Sequence, residues 1–189
     1  MRGKFQRWRR AAGLALALGG AVPAAGCGGE GASQPPLPAT CPRIGILGEA
    51  ADLVRYRPGA GQDLSALELE ARVTGFQARC DYVNRGRAME VRLTVGLQAE
   101  RGPAARAASA ELPWFVAVTD AGEEAILNKR EFVTRVGFPP NVGRARATSE
   151  EISVTLPLGQ GRDFGDYALL VGFQLTPEEL ALNRRRGLR

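Results

Sequence analysis

The 189-residue chain has no histidine. This removes Ser-His-Asp and Cys-His nucleophilic catalysis, and with them the commonest zinc ligand. Lysine is nearly missing too, with only Lys4 and Lys129. A lysine-assisted serine enzyme would have to use Lys129, which lies in no Ser-x-x-Lys context. No apolar run reaches the roughly 20 residues that a membrane-spanning helix needs. Aromatic residues are few, and there are three cysteines, at positions 27, 41 and 80.

What the chain does have is a distinctive start. Arg2, Lys4, Arg7, Arg9 and Arg10 precede an Ala/Gly/Leu/Val run over 11–22, and the small residues Ala24-Ala25-Gly26 lead into Cys27. A basic start, a short apolar core and a small-residue cleavage site define a secretory signal, so 1–26 is expected to be a signal peptide. Arg9-Arg10 is read as part of its basic region, because the large apolar residues that follow a twin-arginine pair are missing. Ala24-Ala25-Gly26-Cys27 resembles the lipobox of bacterial lipoproteins, departing from it at Ala24, where Leu is usual. The resemblance implies fatty-acyl chains such as palmitate on Cys27, with the leader cut just before it. Ordinary cleavage after Val22-Pro23-Ala24 is the alternative. One acyl chain binds a membrane only marginally, whereas two or more hold it stably; the resemblance implies three. Gly28 stands where an inner-membrane retention signal would place Asp. The family default is then the outer membrane with the domain facing the periplasm; an inner-membrane anchor or a soluble periplasmic protein are the alternatives.

The net charge of +5 belongs to the leader, which holds five of the 25 basic residues and no acidic one. From Cys27 onward, 20 basic residues meet 20 acidic ones. A balanced chain argues against a nucleic-acid partner, which needs a concentrated basic surface. The Gly- and Pro-rich segment 27–40 reads as a tether carrying the lipidated cysteine. The domain is expected over 41–189. If Cys27 is acylated, Cys41 and Cys80 remain as an even pair in an oxidising compartment, and a disulfide between them is expected.

Alternation dominates the domain. Met89, Val91, Leu93, Val95 and Leu97 alternate with polar residues or glycine, as do Ile152, Val154 and Leu156; such a period of two predicts half-buried strands. Further strands are predicted at 44–47, 53–56, 114–118, 126–138 and 167–175. The last carries apolar residues on both faces, as a covered central strand does. The stretch 67–82 changes phase at Gly75, from Leu67, Leu69, Ala71 and Val73 to Phe76, Ala78, Cys80 and Tyr82. A bulge there keeps one long strand facing inward. Turns are expected at Asn84-Arg-Gly86 and Asp120-Ala-Gly122, and a loop or short helix over 101–110. Thr176-Pro-Glu-Glu179 supplies a capping box with Pro at the first helical position, Leu175 and Leu180 form a hydrophobic staple, and Gly187 is a stop, so a helix over 177–186 is predicted.

The fold class that follows is all-β, an immunoglobulin-like β-sandwich of about seven or eight strands with one short C-terminal helix. The Cys/Trp spacing of a true immunoglobulin domain is absent. An eight-stranded barrel similar to the lipocalins is the alternative, although their early Gly-x-Trp signature has no match.

Chemistry is sparse. Glu123-Glu124, Glu150-Glu151 and Glu178-Glu179 are adjacent pairs that read as turns or caps, because glycosidase carboxylates must converge across a cleft. The loop 159–166 lacks a phosphate-loop lysine, and Asp163 and Asp166 lack calcium-loop spacing. No catalytic residue, metal site or cofactor is expected. Trp114 and Phe115 are expected in the core; exposed, they would be binding anchors. Arg184, Arg185 and Arg186 complement a helix dipole and are the other candidate contacts. Val171-Gly-Phe-Gln-Leu-Thr-Pro-Glu-Glu-Leu180 and Cys41-Pro-Arg-Ile-Gly-Ile-Leu47 look like segments of uncharacterised bacterial lipoproteins. The expected function is a non-enzymatic interaction or assembly module of the cell envelope, with the lipid bilayer and an envelope protein as partners. A lipocalin-like carrier of a small apolar ligand is the alternative.

Overall fold

Apolar–polar alternation folds the chain into two sheets. The computed structural model describes residues 41–187, so Cys27 and the segments 1–26 and 28–40 lie outside the described residues. In chain order the strands are β1 (Arg43–Ile46), β2 (Asp52–Tyr56), β3 (Leu67–Val83), β4 (Ala88–Arg101), β5 (Ser109–Asp120), β6 (Ile126–Gly137), β7 (Arg144–Thr148), β8 (Ile152–Pro157) and β9 (Tyr167–Phe173), followed by α1 (Pro177–Arg186). One sheet has the order β1-β9-β5-β6, with β1 parallel to β9 and the remaining pairs antiparallel. The other has the order β2-β3-β4-β7, and β8 pairs with β4 beside β7.

The inward faces of both sheets enter one apolar cluster. Leu53, Met89, Val91, Leu93 and Leu97 come from one sheet; Leu112, Trp114, Val116, Leu169 and Phe173 come from the other. Each such side chain contributes about 1.5–3 kcal/mol when fully buried. This shared core makes the described domain sandwich-like.

The bulge falls at the predicted place. The β3–β4 register shifts between Val73 and Gly75, and Gly75 has φ 154°. Beyond it β2 has ended and β3 pairs with β4 alone. Tyr82, expected to point inward, is exposed there.

Two further differences concern strand limits. β7 has no counterpart among the predicted strands, because Arg144-Ala-Arg-Ala-Thr148 alternates arginine with alanine and offers little apolar signal. β5 begins five residues before the predicted 114 and carries Pro113 in its interior. Pro113 lies just beyond the end of the β5–β9 ladder, since β9 ends at Phe173, opposite Trp114. The Pro113 carbonyl there accepts from Gln174 N–H at 2.9 Å. Residues 102–108 form a connection without a helix.

α1 has the predicted start: Thr176 Oγ1 accepts from Glu179 N–H, and the Glu179 carboxylate accepts from Thr176 N–H. Gly187 follows at φ 77°. The helix lies on β2, the end strand of its sheet. Leu182 is buried with Val54 and Leu67, and Asn183 Nδ2 donates to the carbonyls of Glu49 and Asp52. Covering a strand edge in this way satisfies backbone acceptors that would otherwise face solvent. Leu180, expected to anchor the helix, is only half-buried; Leu182 is the buried residue.

Candidate functional site

Cys41 and Cys80 are disulfide-bonded, with their Cα atoms 5.5 Å apart. The bridge ties a residue two positions before β1 to the far half of β3, and so links the two sheets.

Trp114 and Phe115 occupy opposite faces of β5. Trp114 is 1% exposed, stacks on Phe132 with ring centroids 4.7 Å apart, and donates its indole N–H to Thr134 Oγ1 at 3.0 Å. Its polar atom is satisfied internally, as a buried indole requires. Phe115 is also buried, beneath the Lys129 ammonium at 4.7 Å from the ring centroid. Gly172 makes room for it: a Cβ there would stand 2.8 Å from Ala50 Cβ and 3.3 Å from Phe115 Cζ. Neither aromatic is an exposed anchor.

The three C-terminal arginines are held by the domain. Arg184 pairs with Glu49 at 2.9 Å, Arg185 reaches Gln62 at 3.4 Å, and Arg186 donates to Tyr56 Oη at 3.0 Å and approaches Glu70 at 3.6 Å. Arg184 and Arg186 close one side of an open groove of about 490 Å³ between α1 and the outer face of β2, β3, β4 and β7. Alternation along the strands supplies the rest of its lining, because their inward neighbours fill the core. Across the groove, Arg72 pairs with Asp52 at 2.7 Å and Arg144 with Glu100 at 2.6 Å. Arg72 and Arg184 have pKa values raised by hydrogen bonds to, and attraction from, the carboxylates of Asp52 and Glu49 respectively.

This is a surface of matched charges. Solvent screens pairs of this exposure, so each holds its partner only weakly. Of the charged side chains that line it, Arg144 lies in β7, Glu49 in the connection between β1 and β2, and the others on β2, β3, β4 or α1. What sequence could not show is that they share one face. Among the described residues, no group of three His, Cys, Asp or Glu side chains converges as a metal site. Asp163 and Asp166 accept backbone hydrogen bonds from Gly165 and Asp163. Glu123 pairs with Arg43 at 2.6 Å.

The class defined by these features is a two-sheet β domain with a C-terminal helix docked on a sheet edge. Comparison with family models, with curated proteins and with solved structures finds no match.

Proposed function

We propose that the protein is a lipid-anchored module of the bacterial cell envelope. In this reading acylated Cys27 holds it on the periplasmic face of the outer membrane, and the β domain binds or assembles an envelope protein without catalysing a reaction. The observation that carries the reading is the Cys41–Cys80 disulfide. Disulfides persist in oxidising compartments, so the bridge agrees with the exported state that the leader implies. It also pins the start of the domain, where the tether of 27–40 joins it.

The immunoglobulin-like form of the sandwich belongs to the same proposal. Two sheets over one core, with the first strand beside the last, support it. The carrier alternative has less support. Trp114, Phe173, Leu53, Met89 and Leu93, each under 2% exposed, occupy the space between the sheets where a barrel would hold a ligand.

The test is the intact mass of the membrane-extracted protein. Acylation with an N-terminus at Cys27 is the expected result; an unacylated chain beginning at Ala25 would overturn the anchor. Affinity capture from solubilised envelopes, with mass-spectrometric identification, then tests for a partner. Reproducible absence of any bound protein would count against the module.

A further inference from the structure

β6 is twelve residues long and, among the described residues, pairs with no strand but β5. Just past its end, Phe138 N–H donates to the Ala108 carbonyl. In an antiparallel ladder, backbone groups turned toward one neighbour alternate with groups turned toward the other. The register therefore directs the N–H and C=O of residues 128, 130, 132, 134 and 136 to β5. Those of Lys129, Glu131, Val133 and Arg135 face the open edge. Such an edge is a template for another strand. Ile126 is 68% exposed, Val133 63% and Leu127 43%. These are three of the six large apolar side chains that are exposed among the described residues.

We propose that β6 pairs antiparallel with β6 of a second copy of this chain, about a twofold axis through Arg130. The two four-stranded sheets then become one sheet of eight. The strand is its own complement in this register. Lys129 stands opposite the partner's Glu131 and Glu131 opposite the partner's Lys129, while Leu127 and Val133 pair in the same reciprocal way. Their outward backbone groups form the hydrogen-bonded pairs of the new ladder. Three neighbouring registers set like charges together on the outward face: an axis at Glu131 opposes two glutamates, one at Lys129 opposes two lysines, and one at Phe132 opposes Lys129 to the partner's Arg135. Like charges directly opposite are destabilising. In the proposed register the two Arg130 side chains meet on the axis, at a non-hydrogen-bonded pair. Each is drawn aside within its own copy, where Nη1 donates to the Ser153 carbonyl at 2.7 Å and the guanidinium lies 5.2 Å from the Phe132 ring. A self-complementary patch of this kind is what a closed twofold dimer requires.

The experiment uses the full chain in detergent, with and without acylation, since the pairing does not depend on the anchor. Arg130→Cys places a thiol on the axis, where facing Cα atoms of such a pair are about 4.5 Å apart and within disulfide reach. Mild oxidation is expected to give a covalent dimer on a non-reducing gel. Val133→Cys, whose two copies lie far apart in this register, is expected to give none. Glu131→Lys is expected to weaken association in sedimentation about tenfold. The double exchange Lys129→Glu with Glu131→Lys is expected to restore it, because the same pairs re-form with signs reversed. A parental melting curve identifies the variants that fold. A parent that stays monomeric at every concentration overturns the proposal. So does a dimer insensitive to Glu131→Lys, a double exchange that does not rescue, or cross-linking as strong at position 133 as at 130. Saturation of the β6 edge by a different envelope protein in place of a second copy overturns it as well.

Discussion

Arg55 Nε donates to Glu179 Oε1 at 3.0 Å, while the other carboxylate oxygen of Glu179 accepts from the Thr176 backbone N–H at 2.8 Å. One side chain thus closes the first turn of α1 and fastens the helix to β2. Arg55 extends the link to the other sheet, since its Nη1 donates to the Glu111 carbonyl at 3.1 Å. The Glu179 side chain is 13% exposed and that of Arg55 35%, so solvent screens this pair less than the groove pairs.

That linkage is measurable. Arg55→Met and Glu179→Gln, singly and together, form a double-mutant cycle. A coupling of about 1 kcal/mol is expected from equilibrium urea unfolding. Strictly additive single effects would show that the two side chains contribute independently.

The helix is expected to be part of the folded unit, with its energy concentrated at Leu182. Leu182→Ala removes a buried side chain and is expected to cost about 2–3 kcal/mol. Leu180→Ala, at a half-buried position, is expected to cost about half as much. Thr176→Ala loses the cap, for about 1 kcal/mol. Urea midpoints order the three variants. Equal midpoints for parent and Leu182→Ala would mean that the helix is undocked.

Peptide mapping without reduction is expected to recover Cys41 and Cys80 in one linked fragment. Their bridge spans a sequence separation of 39. Closing a loop of this size restricts the unfolded chain and is worth about 4 kcal/mol in the chain-entropy model. Replacing both cysteines with serine is expected to lower the unfolding free energy by about that amount. Free alkylation of both thiols in the unfolded, unreduced protein would exclude the bridge.

Asp63 gives a pH signature. Its Oδ1 accepts from Ser65 Oγ at 2.6 Å and from the backbone N–H groups of Ser65 and Ala66. The Ser65 hydroxyl bond is the first cause holding this carboxyl below its ordinary value, followed by the Ser65 backbone N–H. The unfolded chain therefore takes up this proton at higher pH than the folded one. The stabilising contribution is complete above the unfolded pKa and disappears as pH falls through the folded one. NMR titration is expected to show Asp63 titrating below the ordinary aspartate range, and Ser65→Ala is expected to move it upward. An unchanged midpoint in Ser65→Ala would exclude the hydroxyl as the cause.

Local signals were legible wherever one residue's own geometry decides the structure. The Gly75 phase change, the Thr176–Glu179 capping box and the alternation in β4 and β8 each state their element without outside help. Alanine and arginine alternate in β7 too, but alanine has little side chain to bury, so that strand stayed below notice. The exposure of Tyr82 has a different reason: alternation states which face a residue shares, and not how far along the strand the core extends.

Sequence alone determined a β-rich domain, its bulge and its terminal helix, because these follow from periods of two residues and from hydrogen bonds spanning three. The pairing of Cys41 with Cys80 was inferred from cysteine count and compartment, and their proximity only the fold could supply. Tertiary structure alone decided the parallel pairing of β1 with β9 and the Arg55–Glu179 tie, whose partners lie 124 positions apart. It also decided that β6 is left at an edge while β5 and β9 are covered. Strand order depends on which apolar faces can close over one another, and that is a property of the whole packed chain.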